Sequence, residues 1–281
     1  ITYEFDLEPK ESYDNYLMLS NDKLFNFESS IELFTDMLNN SAYTSWLSFE
    51  GSYHKLPYSI EPFSRDGYGR NPGAVIAKQP FKNYRTDKSN IFYILTMNSN
   101  HTLLNYLDRD KAGVWFTEYT STWLKKDYKI RAPYVDTRHN EAIGIYLNQV
   151  GEYFNNLKIK NSNAYYAKYL VKKYNDNEVI KFQEGNLFPD YFSDNHTTHT
   201  HASLNHQLGI VNYLFNYYIE TNIIEYKNVG LSILKTIENQ YKSWIRDDKD
   251  LWYQINENKE FNGRDHKIVT LDDLLNTQKI L

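Results

Sequence analysis

Four of the eight histidines in this chain fall within eleven residues, in the stretch Asp194-Asn-His196-Thr-Thr-His199-Thr-His201-Ala-Ser-Leu-Asn205-His206. Imidazole titrates near neutral pH and also binds metals, so a stretch this dense points to a site. His196, His199 and His201 have the HxxHxH spacing by which a loop running into a helix can bring two or three rings to one metal, with Asp194 as an oxygen ligand or orienter. The HExxH context of a helix-borne zinc site is missing. The same side chains suit acid–base work or sugar contact, with His199 a catalytic candidate and His201 and Asn205 substrate-binding ones. Asp194, Thr197 and Thr200 also read as plain helix caps. No cofactor is assigned.

A second cluster, Arg131-Ala-Pro-Tyr134-Val-Asp136-Thr-Arg138-His139-Asn-Glu141, brings two guanidiniums, an imidazole and two acids to the start of a helix, where backbone N–H groups favour anions. Arg131 or Arg138 could hold a substrate carboxylate bidentately. Tyr134, Asp136, His139 and Glu141 are then candidates for proton transfer. The plainer reading is an N-cap by Asp136 or Thr137 with surface ion pairs. A third group lies in a loop region and comprises Glu50, His54, Tyr58, Glu61, Arg65, Asp66 and Arg70. There Glu50 is a catalytic carboxylate candidate, and Tyr58 and Arg70 are substrate-binding ones, in the manner of glycosidase loops. A fourth run, Asn262-Gly-Arg264-Asp265-His266-Lys267, offers a further charged wall or a solvated turn.

Asp136-Thr137-Arg138-His139 and His196-Thr197-Thr198-His199 resemble two short motifs of the carboxy-terminal domain of glucuronyl C5-epimerases, and they occur in family order. The resemblance covers these eight residues. The two motifs are more widely separated here, and Val135 stands where the family has a tyrosine, with Tyr134 one place earlier. What the resemblance implies is an incomplete α/α barrel. It also implies proton abstraction and return beside the carboxylate of a uronic acid, with tyrosine and acidic groups taking part.

The elements that must position these groups are mostly helical. Phe27, Ile31, Phe34 and Leu38 recur on one helical face, and helices are expected at 89–107, 110–126, 137–157, 161–175, 202–220, 222–246 and 270–280. In the 202–220 helix, Leu204, Leu208, Val211, Phe215 and Tyr218 form the inward stripe, leaving Asn205, Asn212 and Asn216 on a polar side. Gly and Pro punctuate 46–85 as an ordered, functional loop region. A β-hairpin is expected between Asp247 and His266, and residues 1–25 read as an arm. The fold expected is mainly α, a single α/α toroid-like domain over 1–281.

At 281 residues the chain can bury a sizeable core, and its 26 Tyr, 15 Phe and 5 Trp suit a wide cleft in which rings stack on sugars. Codon bias toward Tyr, Asn, Lys and Ile would give the same composition. A net charge of −5 disfavours nucleic acid as a partner, and the aromatic composition together with the resemblance to the epimerase domain points to a polysaccharide or oligosaccharide substrate. No run is long and apolar enough to span a membrane. The absence of cysteine and a first residue of Ile1 point to an exported protein, extracellular or peripherally attached at the cell surface, with the cytoplasm as the alternative. The functions expected are an epimerase, lyase or hydrolase acting on an acidic or cell-surface glycan, then a noncatalytic glycan-binding or assembly protein, then a His-based metal-dependent hydrolase.

Overall fold

The computed structural model describes residues 4, 6–7, 9, 20–40, 45–48, 51–55, 60–61, 68–69, 71–194 and 198–281. Most of the described chain is helical: α1 (Glu28–Asn40), α2 (Pro72–Val75), α3 (Lys78–Asp87), α4 (Asn90–Asp110), α5 (Thr122–Tyr128), α6 (Thr137–Tyr153), α7 (Leu157–Asn161), α8 (Ala164–Asn175), α9 (Leu204–Thr221), α10 (Ile224–Asn239), α11 (Tyr241–Trp244) and α12 (Ile268–Ile280). Neighbours in sequence pack as pairs, α3 with α4, α6 with α7 and α9 with α10.

Helix α9 is the centre of the molecule. It packs against α6, α8, α10 and α12, and every residue from Leu204 to Phe215 is buried, so Asn205 and Asn212 of its expected polar side are buried as well, while Asn216 is exposed. That costs nothing where the polar groups are paired. Asn212, for example, donates to the Asp273 carbonyl and accepts from the Thr277 hydroxyl, both on α12. The close approach of α6 to α9 depends on Gly144, where an added Cβ would fall 2.5 Å from the Tyr213 hydroxyl oxygen.

Two of the expected elements differ in the structure. Helix α4 ends at Lys111 in the left-handed region, and residues 110–126 are therefore not one helix. Instead Phe116–Thr117 and Thr120–Ser121 form short strands before α5 begins. Burial of Trp115 explains the change, since its backbone N–H reaches Asn140 Oδ1 at 2.8 Å and its indole N–H reaches the Leu103 carbonyl at 2.9 Å. The loop region also ends earlier than expected, because α2 and most of α3 occupy 72–85, started by Pro72 in the first turn. What is described of the rest is a small antiparallel sheet of Ser45–Ser48, Gly51–Lys55 and Tyr68–Gly69, and a strand Ile60–Glu61 paired with Thr120–Ser121 just ahead of α5. The hairpin appears as Trp252–Ile255 paired with Phe261–Arg264.

Two three-stranded sheets carry the residues of interest. In one, Tyr134–Asp136 lies between Phe116–Thr117 and Tyr191–Phe192, with Tyr191 opposite Asp136. In the other, Ala202–Ser203 pairs with the hairpin strand Trp252–Ile255. Both sheets run directly into helices, α6 and α9 respectively.

Replacing Gly144 with Ala sets about 1 kcal/mol of gained helix propensity against about 1–3 kcal/mol of overpacking. Gly144→Ala is therefore expected to lower the melting temperature. A thermal melt showing stabilisation would mean that α6 and α9 are not in close contact.

Candidate functional site

The junctions of the two sheets with α6 and α9 meet at Asp190, which is fully buried. Its carboxylate accepts from the Ser203 backbone N–H at 2.8 Å and from the Ser203 hydroxyl. His201 Nε2 lies 3.3 Å from one carboxylate oxygen and His206 Nδ1 lies 3.6 Å from the other. The backbone of Asp190 is committed too, accepting from Thr137 N–H at 3.0 Å and donating to the His201 carbonyl at 2.8 Å. Burial alone would raise the Asp190 carboxyl. The facing imidazoles of His206 and His201 and the Ser203 hydroxyl outweigh it and hold the group below the ordinary carboxylate value.

His206 is pushed below the ordinary imidazole value by burial, against the pull of Asp190 and Asp136. Its Nδ1 is 2.7 Å from the Thr137 hydroxyl, which donates to the Asp190 carbonyl. With its only proton used there, the hydroxyl accepts from His206 Nδ1. His201 is 3% exposed, and Tyr128 Oη is 2.8 Å from its Nδ1. Nε2 lies 3.3 Å from Asp190 without a hydrogen bond to it, and Nδ1 faces Tyr128, so Tyr128, His201 and Asp190 form a series of close contacts. Burial raises the Tyr128 phenol, so at neutral pH it holds its proton. Trp123, Tyr191 and Tyr253 surround the His201 ring at centroid distances of about 6 Å, and Trp123 is 39% exposed.

Asp136 caps α6 by accepting from the His139 backbone N–H at 3.0 Å, and its other oxygen lies 3.5 Å from His139 Nδ1. Nδ1 is buried while the side chain is 34% exposed, so the open edge of the ring is the one away from Asp136. Gly73 lies against the ring, where a Cβ would come within 2.7 Å of His139 Cδ2. Tyr134 is buried and hydrogen-bonded to Tyr119; burial, then the charges of Tyr119 and Asp136, raise its phenol well above the ordinary value. Asp136 and His139 thus form one arm beside the buried Tyr134, and the strand pairing of Asp136 with Tyr191 links this arm to His201.

The other expected site residues lie elsewhere in the arrangement. The Arg138 guanidinium is directed inward: one terminal nitrogen donates to Glu141 at 2.8 Å and the Asn205 carbonyl at 3.4 Å, and the other donates to Asp273 at 3.1 Å. It ties α6 to α9 and α12. Burial raises Glu141 to about 7 despite the opposing charge of Arg138, and Asp273 is raised by the same cause. The Asn205 side chain is buried, and its Oδ1 has no partner among the described residues. His199 is half-buried, its backbone N–H on Glu257, and burial lowers its imidazole below the ordinary value against the pull of Glu257 and Glu178. Arg131 is exposed and lines a surface hollow beside α5. Glu50, Tyr58, Arg70 and His196 lie outside the described residues. Among the described residues no group of three or more His, Asp or Glu could hold a metal ion. Sequence reading missed Asp190, Tyr128, Trp123 and Tyr253. Asp190 stands in no charged cluster, and only aromatic abundance hinted at the others.

No family model and no curated protein sequence matches the chain. Solved structures do. A sugar epimerase from a ruminal bacterium superposes with a TM-score of 0.61 at 9% identity, over 89% of this chain and 64% of that one. Cellobiose 2-epimerase from Spirochaeta thermophila DSM 6192 gives 0.56 at 10% identity, over 90% and 63%. An unsaturated glucuronyl hydrolase specific for heparin gives 0.51 at 16% identity, over 75% and 56%. The fold is therefore the α/α toroid expected from the sequence. The chain spans a little under two thirds of the length of the first two.

The raised Glu141 has a signed consequence. Its folded value near 7 exceeds the ordinary 4.5, so the folded state binds the extra proton between those limits. This contribution to stability is full below pH 4.5 and lost as pH rises through about 7. Glu141→Gln removes it, so the melting temperature of the variant minus that of the wild type should grow more positive across that window. A difference constant with pH in scanning fluorimetry would show that Glu141 is an ordinary carboxylate.

Proposed function

We propose that this chain is a carbohydrate-active enzyme that removes a proton from a sugar carbon, acting on an acidic, uronate-containing or cell-surface glycan. The observation that carries this reading is the meeting of two proton-bearing arms, Tyr128–His201–Asp190 and His139–Asp136, at one pair of strand-to-helix junctions. Trp123 and Tyr253 flank the first arm and offer ring faces to a sugar. The named neighbours, a sugar epimerase, cellobiose 2-epimerase and a glucuronyl hydrolase, add support for a sugar substrate.

In this reading the Tyr128 hydroxyl passes its proton to His201 Nδ1, and Asp190 stabilises the imidazolium that results. Tyr128 is then the base that takes the proton from the sugar carbon. His139, whose Nδ1 faces Asp136 at 3.5 Å without a hydrogen bond and whose other edge is open, gives or takes a proton on a second side of the substrate. Return of a proton to the opposite face gives epimerisation, and loss of a substituent from the neighbouring carbon gives elimination. His201 acts through Tyr128, because both of its nitrogens are turned to protein groups. Arg138 is engaged by Glu141 and Asp273, and Arg131, exposed beside α5, is the guanidinium we assign to a uronate carboxylate. The site of action would be extracellular or at the cell surface. The exposed Trp123 also favours a second reading, a glycan-binding protein that leaves its ligand unchanged.

Incubation with uronate-containing and neutral reducing oligosaccharides in D2O separates these readings. Deuterium should enter the sugar beside the carboxylate or carbonyl, and Tyr128→Phe and His139→Gln should each slow the exchange by about a hundredfold or more. New reducing ends without deuterium would replace proton abstraction with hydrolysis. Glycans bound and recovered unchanged would make the chain a binding protein.

A further inference from the structure

Helix α12 lies on the molecule with its polar side inward. Thr270, Asp273 and Thr277 are its buried residues, and each has a partner: Thr270 donates to Asp265 Oδ1 at 2.6 Å, Asp273 accepts from Arg138 at 3.1 Å, and Thr277 donates to Asn212 Oδ1 at 2.7 Å. Arg138 on α6 and Asn212 on α9 thus decide which face of α12 turns in. Its apolar residues turn out. Of them only Ile280 packs against the core, while Ile268 is 73% exposed, Leu271 55% and Leu275 45%, and Leu274 and Leu281 are exposed too. Single exposed apolar residues are ordinary on a protein surface, whereas a contiguous row of them marks an interaction surface. Helix α12 packs on α9 and on no other element to a comparable degree among the described residues, so none of these covers the row.

The charges on this face say what kind of surface complements it. Asp272 and Lys279 stand on one flank of Leu275, and Leu271 and Leu281 stand on the other. Both charged side chains are exposed, and neither makes an ion pair among the described residues. Asp272 and Lys279 are seven residues apart, or about 10 Å along the axis, with Leu275 close to the midpoint. A two-fold axis passing beside Leu275, at right angles to the helix, sets two copies of α12 antiparallel with like flanks together and their order reversed. Each Asp272 then comes opposite the Lys279 of the other copy, and each Leu271 opposite the other Leu281. In a parallel pair the charged flank meets the apolar one, and both charges lose their partners. The face is therefore complementary to itself in the antiparallel arrangement, which is what a closed two-fold interface requires.

We propose that the outer face of α12 is the interface of a homodimer, in which α12 packs antiparallel on α12 of a second copy, with Leu275 at the axis, Leu271 against Leu281 and Asp272 against Lys279. The proposal concerns assembly and is independent of the reaction.

Sedimentation equilibrium from about 1 to about 100 μM chain tests it, since a dimer of this kind shifts with concentration. The wild type should reach twice the mass of one chain at the upper end. In a two-fold interface every substitution acts twice, so Leu271→Gln/Leu275→Gln should raise the dissociation constant about tenfold or more. Both leucines are exposed in the single chain, so circular dichroism and the melting temperature of that variant at the dilute end should match the wild type. Asp272→Lys and Lys279→Asp should each weaken the dimer about threefold or more at low salt, and Asp272→Lys/Lys279→Asp should restore it. A wild type with the mass of one chain throughout the range overturns the proposal. So does a dimer that survives Leu271→Gln/Leu275→Gln, because its interface would lie on another face. Loss of dimer in the single charge variants without recovery in the exchanged pair overturns the antiparallel arrangement.

Discussion

Asp190 is the residue on which the arrangement of this molecule depends. A carboxylate with no exposure is tolerable only when its charge is met, since an uncompensated buried charge costs about 3–5 kcal/mol or more. Here Ser203, His201 and His206 all approach it, and they arrive from the strand and helix that follow it in the chain. Its own backbone fixes Thr137 at the start of α6. One residue thereby contacts the starts of both helices, α6 through its backbone and α9 through its side chain. His139 sits on the first turn of α6, and His201 stands just ahead of the strand that leads into α9.

The second constraint is the strut Arg138–Glu141–Asp273. It joins the early part of α6 to α12, near the end of the chain, and also touches the α9 backbone through the Asn205 carbonyl. Two acids share one guanidinium in a site from which water is largely excluded. The burial that raises both carboxyls is the price of holding three helices at one point. Gly209 makes room for it: a Cβ there would lie 2.1 Å from Glu141 Oε2 and 2.2 Å from Arg138 Nη1. Position 138 thus serves packing, although its residue type suits anion binding.

Around these two networks the aromatic residues divide by exposure. Tyr134, Tyr166 and Tyr213 are buried, and the latter two hydroxyls donate to backbone carbonyls of Thr137 and Asn163. Trp123 remains partly open, as does Tyr128, whose hydroxyl is tied to His201. The abundance of aromatics thus serves both the core and a partly open surface beside His201. The short helix α5 carries both Trp123 and Tyr128, so the two rings beside His201 are positioned by one element.

The sequence by itself determined the helical class and most helix positions, because a helix that buries one face must repeat its apolar residues at that period. Leu204, Leu208, Val211 and Phe215 are buried as that rule requires. It also marked Asp136 as the N-cap of α6, a contact within three residues along the chain. Where sequence reading departed from the structure, contacts between distant residues decided. The 110–126 helix gave way because Trp115 is bonded to Leu103 and Asn140. Asn205 and Asn212 looked solvent-facing until α12, some sixty residues on, covered that side of α9. The histidine stretch announced a site, yet which nitrogen faces what was set by Asp190, by Tyr128 and by Thr137, none of them within it. Local spacing fixes which side chains share a helix face. Only the tertiary structure brings an acid, an imidazole and a phenol from three separate elements within hydrogen-bonding reach, because that distance depends on how whole helices pack.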